Sequence, residues 1–193
     1  QSLEVFKDWP LAAQPGEKYL YTSYGYNLLG AVVEGASGIS YFDYIKKNIF
    51  QPLGMKNSRP DNPTDLIPNR VRGYRLLNGK LKNSEYVDIS SRFASGGLRS
   101  TVVDLLAYAK GILDGKLLKS GSWQQAFTSM SNRKGKLTHY GMGFGVKPYL
   151  GFYRVGHGGS QQETKTRILI IPHLNLAIVF AANLEAVDEI PYI

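Results

Sequence analysis

Apolar residues recur at helical spacing over the first two thirds of the chain. Residues 24–36 place four apolar side chains, those of Leu28, Leu29, Val32 and Val33, on adjoining turns. This spacing predicts a buried helix with Leu28 and Leu29 in the core. The sequence "TVVDLLAYAKGIL" repeats the pattern further along. The first two thirds are therefore predicted to be mainly helical.

Local signals indicate where other elements begin. Ser40 with Asp43 and Thr101 with Asp104 have the spacing of helix-capping boxes, so a helix is predicted after each. The glycine pair in "ASGGL" precedes the second cap, and we interpret it as tight packing at the helix entry. An Asn-Gly dipeptide at residues 78–79 predicts a short hairpin.

The last third changes to the pattern of strands. Glycine and aromatic residues dominate "YGMGFGVKPYLGFYRVGHGGS", and two continuous apolar runs follow, "TRILIIP" and "LAIVFAANL". Such runs predict an antiparallel hairpin covered on both faces inside a layered α/β sandwich. The fold class is therefore α/β, with a mainly helical part at about 19–130, a long polar excursion over 56–95, and strands at about 140–184.

Composition and charge limit the class of protein. The 193 residues are 43% hydrophobic and 12% aromatic, which is enough for one domain with a core. The lack of cysteine excludes disulfides, thiol nucleophiles and cysteine-ligated zinc. The net charge of +8 lies in loop-like stretches, which argues against nucleic acid as a partner. No apolar run approaches the roughly 20 residues that span a bilayer, so no transmembrane segment is expected.

Tyr21, Thr22 and Ser23 lie where a loop is predicted to enter a helix. Backbone N–H groups and the positive end of the helix face outward at such a junction. A phenol there can act as a general base if a nearby cation lowers its pKa from about 10. The alternative is an ordinary core tyrosine with a satisfied hydroxyl.

The sequence "GHGGS" occupies residues 156–160, with His157 as its second residue, and directly precedes the apolar hairpin. Two glycines after a histidine on an edge strand let a ligand approach the backbone closely, and a free N–H can stabilise an oxyanion. The alternative is a glycine bulge beside an incidental histidine. His139 and His173 lie near predicted turns, so a three-histidine metal site is not expected.

Five stretches match one known family in order: "PGEKYLYTSYGYNLLGAVVEGASG", "NIFQPLGMKNS", "SGGLRSTVVDLLAYA", "YGMGFGV" and "VGHGGS". Together they resemble the serine β-lactamase and penicillin-binding-protein superfamily, in its class C-like branch with D-alanyl-D-alanine carboxypeptidases and esterases. The resemblance implies a β-lactamase/transpeptidase-like fold, with a helical subdomain and an antiparallel sheet flanked by helices. Residues 1–193 would form the C-terminal portion of one such domain, incomplete at its N-terminus.

The resemblance gives Tyr21 the position of the tyrosine in the family's Tyr-x-Asn element, which implies that it accepts or relays a proton. Ser23 takes the asparagine position, where the family uses a side chain to hold the substrate and the catalytic lysine. A serine is shorter than an asparagine and cannot bridge two partners as an amide does.

The same resemblance places His157 where other branches have the lysine of Lys-Thr-Gly, in contact with the substrate carboxylate or polarising the tyrosine. Gly158 and Gly159 would allow close approach, and the Ser160 N–H would supply half of an oxyanion hole. Glu163 then adds a carboxylate that is expected to alter the preference for substrate charge. The implied mechanism is acyl transfer through an acyl-enzyme, which requires no metal or organic cofactor.

The family's nucleophile is the serine of Ser-x-x-Lys, one helical turn before its lysine and upstream of the Tyr-x-Asn element. The twenty residues before Tyr21 contain no such pair. Ser131 and Lys134 have the spacing but lie in a basic, glycine-containing loop, so we interpret the match as coincidental. The nucleophile is expected outside this chain, which alone is expected to be inactive.

Three hypotheses remain open. The first is part of a serine hydrolase that acts on a lactam, a D-Ala peptide or an ester, with a periplasmic or secreted bacterial location favoured by the resemblance. The second is a non-catalytic relative that binds cell-wall peptide or another acyl ligand. The third is a basic interaction module with a polyanionic partner. Apolar surface is expected to stay uncovered, which would require a missing N-terminal segment or self-association.

Overall fold

The computed structural model describes residues 3–85, 87–162, 164–184 and 187. The helices are α1 (Ser23–Ser37), α2 (Tyr41–Ile45), α3 (Gln51–Leu53), α4 (Val102–Leu113) and α5 (Ser120–Ala126), with a π-helical turn at Lys46–Phe50 and 3-10 turns at Ser90–Arg92 and Pro172–Leu174. The strands are β1 (Arg59–Pro60), β2 (Tyr74–Leu77), β3 (Lys80–Asn83), β4 (Leu98–Arg99), β5 (Gly145–Val146), β6 (Val155–Ser160), β7 (Lys165–Ile171) and β8 (Leu176–Ala182). In this part of the chain no helix is long and apolar enough to cross a membrane.

The main sheet is antiparallel, in the order β5-β6-β7-β8. β7 and β8 form the predicted hairpin, and β6 pairs with β7 from Val155 opposite Ile170 to Ser160 opposite Lys165. The predicted hairpin at residues 78–79 is confirmed as the turn between β2 and β3. A helical part followed by a sheet is thus the observed architecture.

The main core lies where α4 and α5 meet the sheet. Its buried side chains come from α4, α5, β5, β6, β7 and the segment before β5: Ala109, Ile112, Trp123, Ala126, Phe144, Val146, Val155 and Ile170. A second, smaller cluster of Ile45, Phe50 and Met55 packs under α2 and the π-helical turn. The first cluster fixes β6, the strand on which the predicted site depends.

Both predicted helix caps are present. The Ser40 hydroxyl accepts the N–H of Asp43, and the Thr101 hydroxyl accepts the N–H of Asp104. Asp104 has a second structural role, because its buried carboxylate also accepts the N–H of Asn57 at 2.8 Å. This bond joins the start of α4 to the chain that leaves α3.

The buried face of α1 is not the one that the apolar pattern predicts. Leu28, Leu29 and Val32 are 47%, 57% and 57% exposed, so their placement in the core was wrong for this chain. The helix instead turns Asn27 and Gly30 inward. Apolar spacing identifies a face that can be buried, but a neighbouring element decides which face is buried.

Specific contacts explain why Asn27 and Gly30 face inward. The Asn27 amide donates to the Ser91 carbonyl at 2.9 Å and accepts the N–H of Ser95 at 3.2 Å. At Gly30 a Cβ would lie 2.4 Å from the Cβ of Ala94, so only glycine allows this approach. The segment before the glycine pair therefore docks on α1, consistent with the tight packing predicted there.

A second apolar surface is exposed on α4. Val103 and Leu106 are 69% and 43% exposed, although the sequence pattern assigns both to the apolar face of the helix. Together with the uncovered side of α1, this matches the expectation that apolar surface stays open in this chain.

Candidate functional site

Tyr21 and His157 are brought together by the fold. Tyr21 immediately precedes Thr22, whose side chain caps α1, and His157 lies on β6. Their ring centroids are 5.8 Å apart, and the ring of Tyr21 is equally close to Tyr26 and 5.9 Å from Tyr140. Two of the predicted site residues thus meet although 136 positions separate them.

Three hydrogen bonds link the groups around this contact. The hydroxyls of Tyr26 and Tyr140 are 2.7 Å apart, and the Tyr140 hydroxyl is 2.9 Å from His157 Nε2. His157 Nδ1 is 2.7 Å from the Gly158 carbonyl oxygen. We call this arrangement the Tyr–Tyr–His chain. Sequence reasoning missed Tyr26 and Tyr140 as site residues, and their positions inside two of the matched stretches were the available signal.

The pKa values of two phenols in the site, those of Tyr21 and Tyr140, are raised. Burial raises the pKa of Tyr21, and the nearby Tyr26 adds to the shift. Burial and then the hydrogen bond with Tyr26 raise the pKa of Tyr140 far above its ordinary value. Among the described residues no cationic side chain bonds to the Tyr21 hydroxyl, so the cation that a tyrosine base requires is not supplied there.

Ser23 is the first residue of α1 and is exposed. Within the described ranges no hydrogen bond joins its side chain to Tyr21 or His157. The fold therefore brings Tyr21 and His157 together and leaves Ser23 at the rim, with its hydroxyl open to solvent.

The outer edge of β6 is free at the predicted oxyanion position. The Lys147 N–H donates to the Arg154 carbonyl, so Arg154 turns its backbone groups toward β5. Backbone groups alternate from side to side along an antiparallel strand, so Gly158 and Ser160 turn theirs the same way. The β5 pairing extends only to Gly156. No described strand covers the edge that carries the Ser160 N–H.

The glycines of β6 also have a packing role. A Cβ on Gly156 would lie 2.2 Å from the Ile168 carbonyl oxygen, and one on Gly159 would lie 2.8 Å from Thr166 Oγ1. On Gly158 it would meet the Arg167 side chain at 3.2 Å. The close approach of β7 thus explains part of the reason why β6 is rich in glycine. The sequence suggested another reason, that the glycines let a ligand reach the edge of the strand.

A cavity of about 630 Å³ is lined in part by Gln161, the residue that follows Ser160. Its lining includes Gln161 and four arginines, Arg59, Arg70, Arg92 and Arg99, with Asp61 as the one carboxylate among the described lining residues. Asp61 pairs with Arg70 at 3.1 Å and also with Arg99.

The other two arginines are held differently. Arg92 donates to Gln161 at 3.1 Å, while Arg59 has no ion-pair partner in the described part of the chain. The cavity next to the oxyanion position is therefore positively charged and suited to an anionic group.

Other candidate groups do not join the site. Ser131 and Lys134 are both exposed and lie in a turn rather than on one helix, which supports the interpretation of their spacing as coincidental. No group of three histidine or acidic side chains in the described ranges could hold a metal ion. Glu163 lies outside the described residues.

Comparison with known proteins gives one family. A family model described as Beta-lactamase matches residues 1–190. The mitochondrial serine beta-lactamase-like protein LACTB of Homo sapiens is 44% identical over 116 residues, which cover 60% of this chain and 21% of the relative. Penicillin-binding protein 4* of Bacillus subtilis is 27% identical over 191 residues, covering 91% of this chain and 42% of the relative. The chain thus spans less than half the length of these relatives.

Solved structures agree on the fold. The octameric penicillin-binding protein homologue from Pyrococcus abyssi has a TM-score of 0.79 at 30% identity, covering 94% of this chain and 43% of that one. A penicillin-binding protein from Bacillus halodurans has a TM-score of 0.80 at 24% identity, covering 96% and 58%. The fold is β-lactamase/transpeptidase-like, and the chain belongs to the beta-lactamase and penicillin-binding-protein family.

Proposed function

We propose that this chain supplies the tyrosine and oxyanion walls of an acyl-transfer site, whose nucleophilic serine and lysine come from polypeptide outside residues 1–193. The observation that supports this proposal is the contact of Tyr21 with His157, at 5.8 Å between centroids, beside a free backbone edge. A phenol, a histidine and unpaired N–H groups are the parts that an acyl transfer needs around its nucleophile.

In this reaction the serine oxygen attacks the substrate carbonyl and forms a tetrahedral intermediate. Tyr21, ionised by the incoming lysine, takes the serine proton and delivers it to the leaving group, which departs as the acyl-enzyme forms. The Ser160 N–H donates to the oxyanion, an interaction worth about 3 kcal/mol in comparable sites. Water then attacks the acyl-enzyme by the same route, releasing the acid and the free serine.

The cavity beyond Ser160 suggests the substrate class. Gln161, which directly follows Ser160, lines this cavity together with Arg59 and Arg92, and we propose that the acyl side of the substrate extends into it. Guanidinium groups bind carboxylate and phosphate well because of their planar set of donors. We therefore propose an amide, peptide or ester whose acyl part carries an anionic group.

The test is covalent labelling with a fluorophosphonate probe, followed by intact mass measurement. Residues 1–193 alone are expected to gain no adduct. The protein extended by its preceding coding sequence is expected to gain one, on a serine outside residues 1–193. An adduct on Ser131 of the short chain would contradict the proposed location of the nucleophile. An unreactive extended protein would favour a non-catalytic relative that binds an acyl ligand.

Tyr21→Phe in the extended protein tests the proton transfer. It is expected to slow acylation by about 10²–10⁴-fold, as for the loss of a general base. Tyr24→Phe is the matched control, because Tyr24 packs against Phe6 and Trp9 rather than in the Tyr21 cluster. Equal rates in both variants would remove Tyr21 from the mechanism.

We also propose that the polypeptide bringing the serine covers the exposed side of α1. Leu28, Leu29 and Val32 form an apolar surface on that helix. Residues 1–193 are then expected to self-associate in sedimentation, while the extended protein buries this surface within its own domain. A well-behaved monomer of residues 1–193 would count against this proposal.

A further inference from the structure

The Tyr–Tyr–His chain has a fixed direction. A carbonyl oxygen only accepts hydrogen bonds, so His157 Nδ1, at 2.7 Å from the Gly158 oxygen, must carry the hydrogen. In the neutral imidazole Nε2 then has the lone pair, and it accepts from the Tyr140 hydroxyl at 2.9 Å. The Tyr140 oxygen is left to accept from Tyr26 at 2.7 Å.

If His157 Nε2 instead donated to the Tyr140 oxygen, either the tyrosine would have to be ionised or the His157 ring would have to carry a charge. Burial among neighbouring tyrosines raises the pKa of Tyr140 strongly, so its hydroxyl keeps the proton that it donates. Both ring nitrogens of His157 are therefore engaged by groups of the protein itself.

We propose that Tyr140, held in place by Tyr26, is a positioning residue that fixes His157 as the neutral Nδ1–H tautomer against β6. Among the described residues the Tyr140 hydroxyl is in a hydrogen bond with Tyr26 and His157 only, so Tyr140 acts through His157. This arrangement changes the role that the resemblance assigned, because a histidine engaged at both nitrogens orients the free edge and does not polarise Tyr21. The role of His157 in orienting the free edge of β6 rests on the proposed function, whereas the tautomer of His157 follows from the geometry alone.

The tautomer is directly measurable by nitrogen NMR of residues 1–193 labelled with nitrogen-15. The chain contains three histidines, and His157→Asn identifies the signals of His157 among them. We expect a protonated Nδ1 and an unprotonated Nε2 at neutral pH, the reverse of the preference of free histidine in water. A protonated Nε2 on His157 overturns the proposal.

Variants test the positioning by tyrosine. Tyr140→Phe removes the donor to Nε2 and is expected to move His157 toward the Nε2–H form, and Tyr26→Phe should give a smaller change in the same direction. Tyr19→Phe is the matched control, since the Tyr19 ring lies 5.4 Å from that of Tyr140 without a hydrogen bond between the hydroxyls. A His157 spectrum unchanged by Tyr140→Phe overturns the proposal.

The same experiments distinguish a variant that fails to fold, or a failure of the proposed function, from a failure of the tautomer proposal. Circular dichroism of each variant shows whether it folds, and the wild-type spectrum decides the tautomer even if Tyr140→Phe does not fold. No substrate or nucleophile is involved, so failed labelling by the fluorophosphonate would leave this result intact. Conversely, the Nε2–H form in an acylating protein would overturn the positioning role alone.

Discussion

Gly30→Ala and Gly35→Ala form a matched pair on α1 that should change stability in opposite directions. Both glycines lie in the interior of the same helix, so both substitutions gain about 0.5–1 kcal/mol from helix propensity. The surroundings differ. A Cβ at Gly30 would lie 2.4 Å from the Cβ of Ala94 and 2.9 Å from the ring of Phe93, whereas at Gly35 no atom of the described structure lies within 4 Å.

The clash at Gly30 should exceed the gain in propensity. The Ala94 Cβ is fixed to the backbone and cannot rotate away, so the helix or the 93–94 segment must shift. Overpacking of this kind costs about 1–3 kcal/mol, which leaves a net loss of up to about 2.5 kcal/mol for Gly30→Ala. Gly35→Ala should be about 0.5–1 kcal/mol more stable than the wild type.

Urea unfolding followed by tryptophan fluorescence measures both variants, because Trp123 is 8% exposed and reports on the main core. Melting temperatures should fall by up to about 10 °C for Gly30→Ala and rise by about 1–4 °C for Gly35→Ala, at about 2–4 °C per kcal/mol for a chain of this size. Equal stabilisation of both variants would refute the docking of α1 on the segment before the glycine pair.

Three further outcomes are expected. Asn27→Ala removes both hydrogen bonds of a buried amide and leaves the Ser91 carbonyl without this donor, while the Ser95 N–H keeps its bond to the Arg92 carbonyl. It should cost about 1–3 kcal/mol in urea unfolding, against less than about 1 kcal/mol for Asn48→Ala on the surface; similar midpoints would exclude an anchoring role. The Lys110 hydrogen bond lowers the pKa of Asp114 from 3.8, so its stabilisation is present above pH 3.8 and lost as the pH falls through the lower folded value. Asp114→Asn should remove that part of the acid dependence of melting, and an unchanged pH profile would contradict it. Arg59→Gln in the extended protein should raise KM for acyl substrates with an anionic side chain and leave neutral analogues unaffected, while equal effects would argue against the cavity as their site.

Short-range sequence signals made the starts of two helices and one hairpin turn predictable. A Ser or Thr cap with an acidic residue three positions on marks a helix start because the hydroxyl satisfies an N–H that the helix leaves open, and Ser40 and Thr101 behave in this way. The Asn-Gly turn at 78–79 is similarly local, since both residues adopt positive φ. Such signals act within a few residues and need no knowledge of the rest of the fold.

The orientation of α1 could not be predicted in the same way. Leucines and valines on adjoining turns mark a surface that favours burial, yet nothing in a helical repeat identifies the partner. The contacts that orient α1 come from Asn27 and Gly30, which bind a segment more than sixty positions away. An asparagine amide satisfied on both sides and a missing Cβ decide the inner face.

The candidate site likewise combines features that the sequence predicts with features that depend on tertiary contacts. The order of motifs along the chain predicted Tyr21 and His157 as site residues, but the hydrogen bonds of Tyr26 and Tyr140 depend on tertiary contacts that sequence spacing does not encode. Tyrosines in a glycine-rich, aromatic stretch are indistinguishable from core aromatics until their hydroxyls are placed. The partner of the hydroxyl, rather than the residue type, separates the two roles.

The electrostatics of the site then specify what the complete active site must add. A phenol with a pKa of about 10 is ionised in about one molecule in a thousand at pH 7, and burial among other tyrosines makes Tyr21 a weaker acid still. An opposite charge within about 4–6 Å typically lowers such a pKa by about 1–3 units, and the effect is larger where water is excluded. Tyr21 can therefore serve as a base only when a cation reaches its hydroxyl. The same aromatic surroundings that raise the pKa of Tyr21 in residues 1–193 would make that pKa respond strongly to the lysine that we propose.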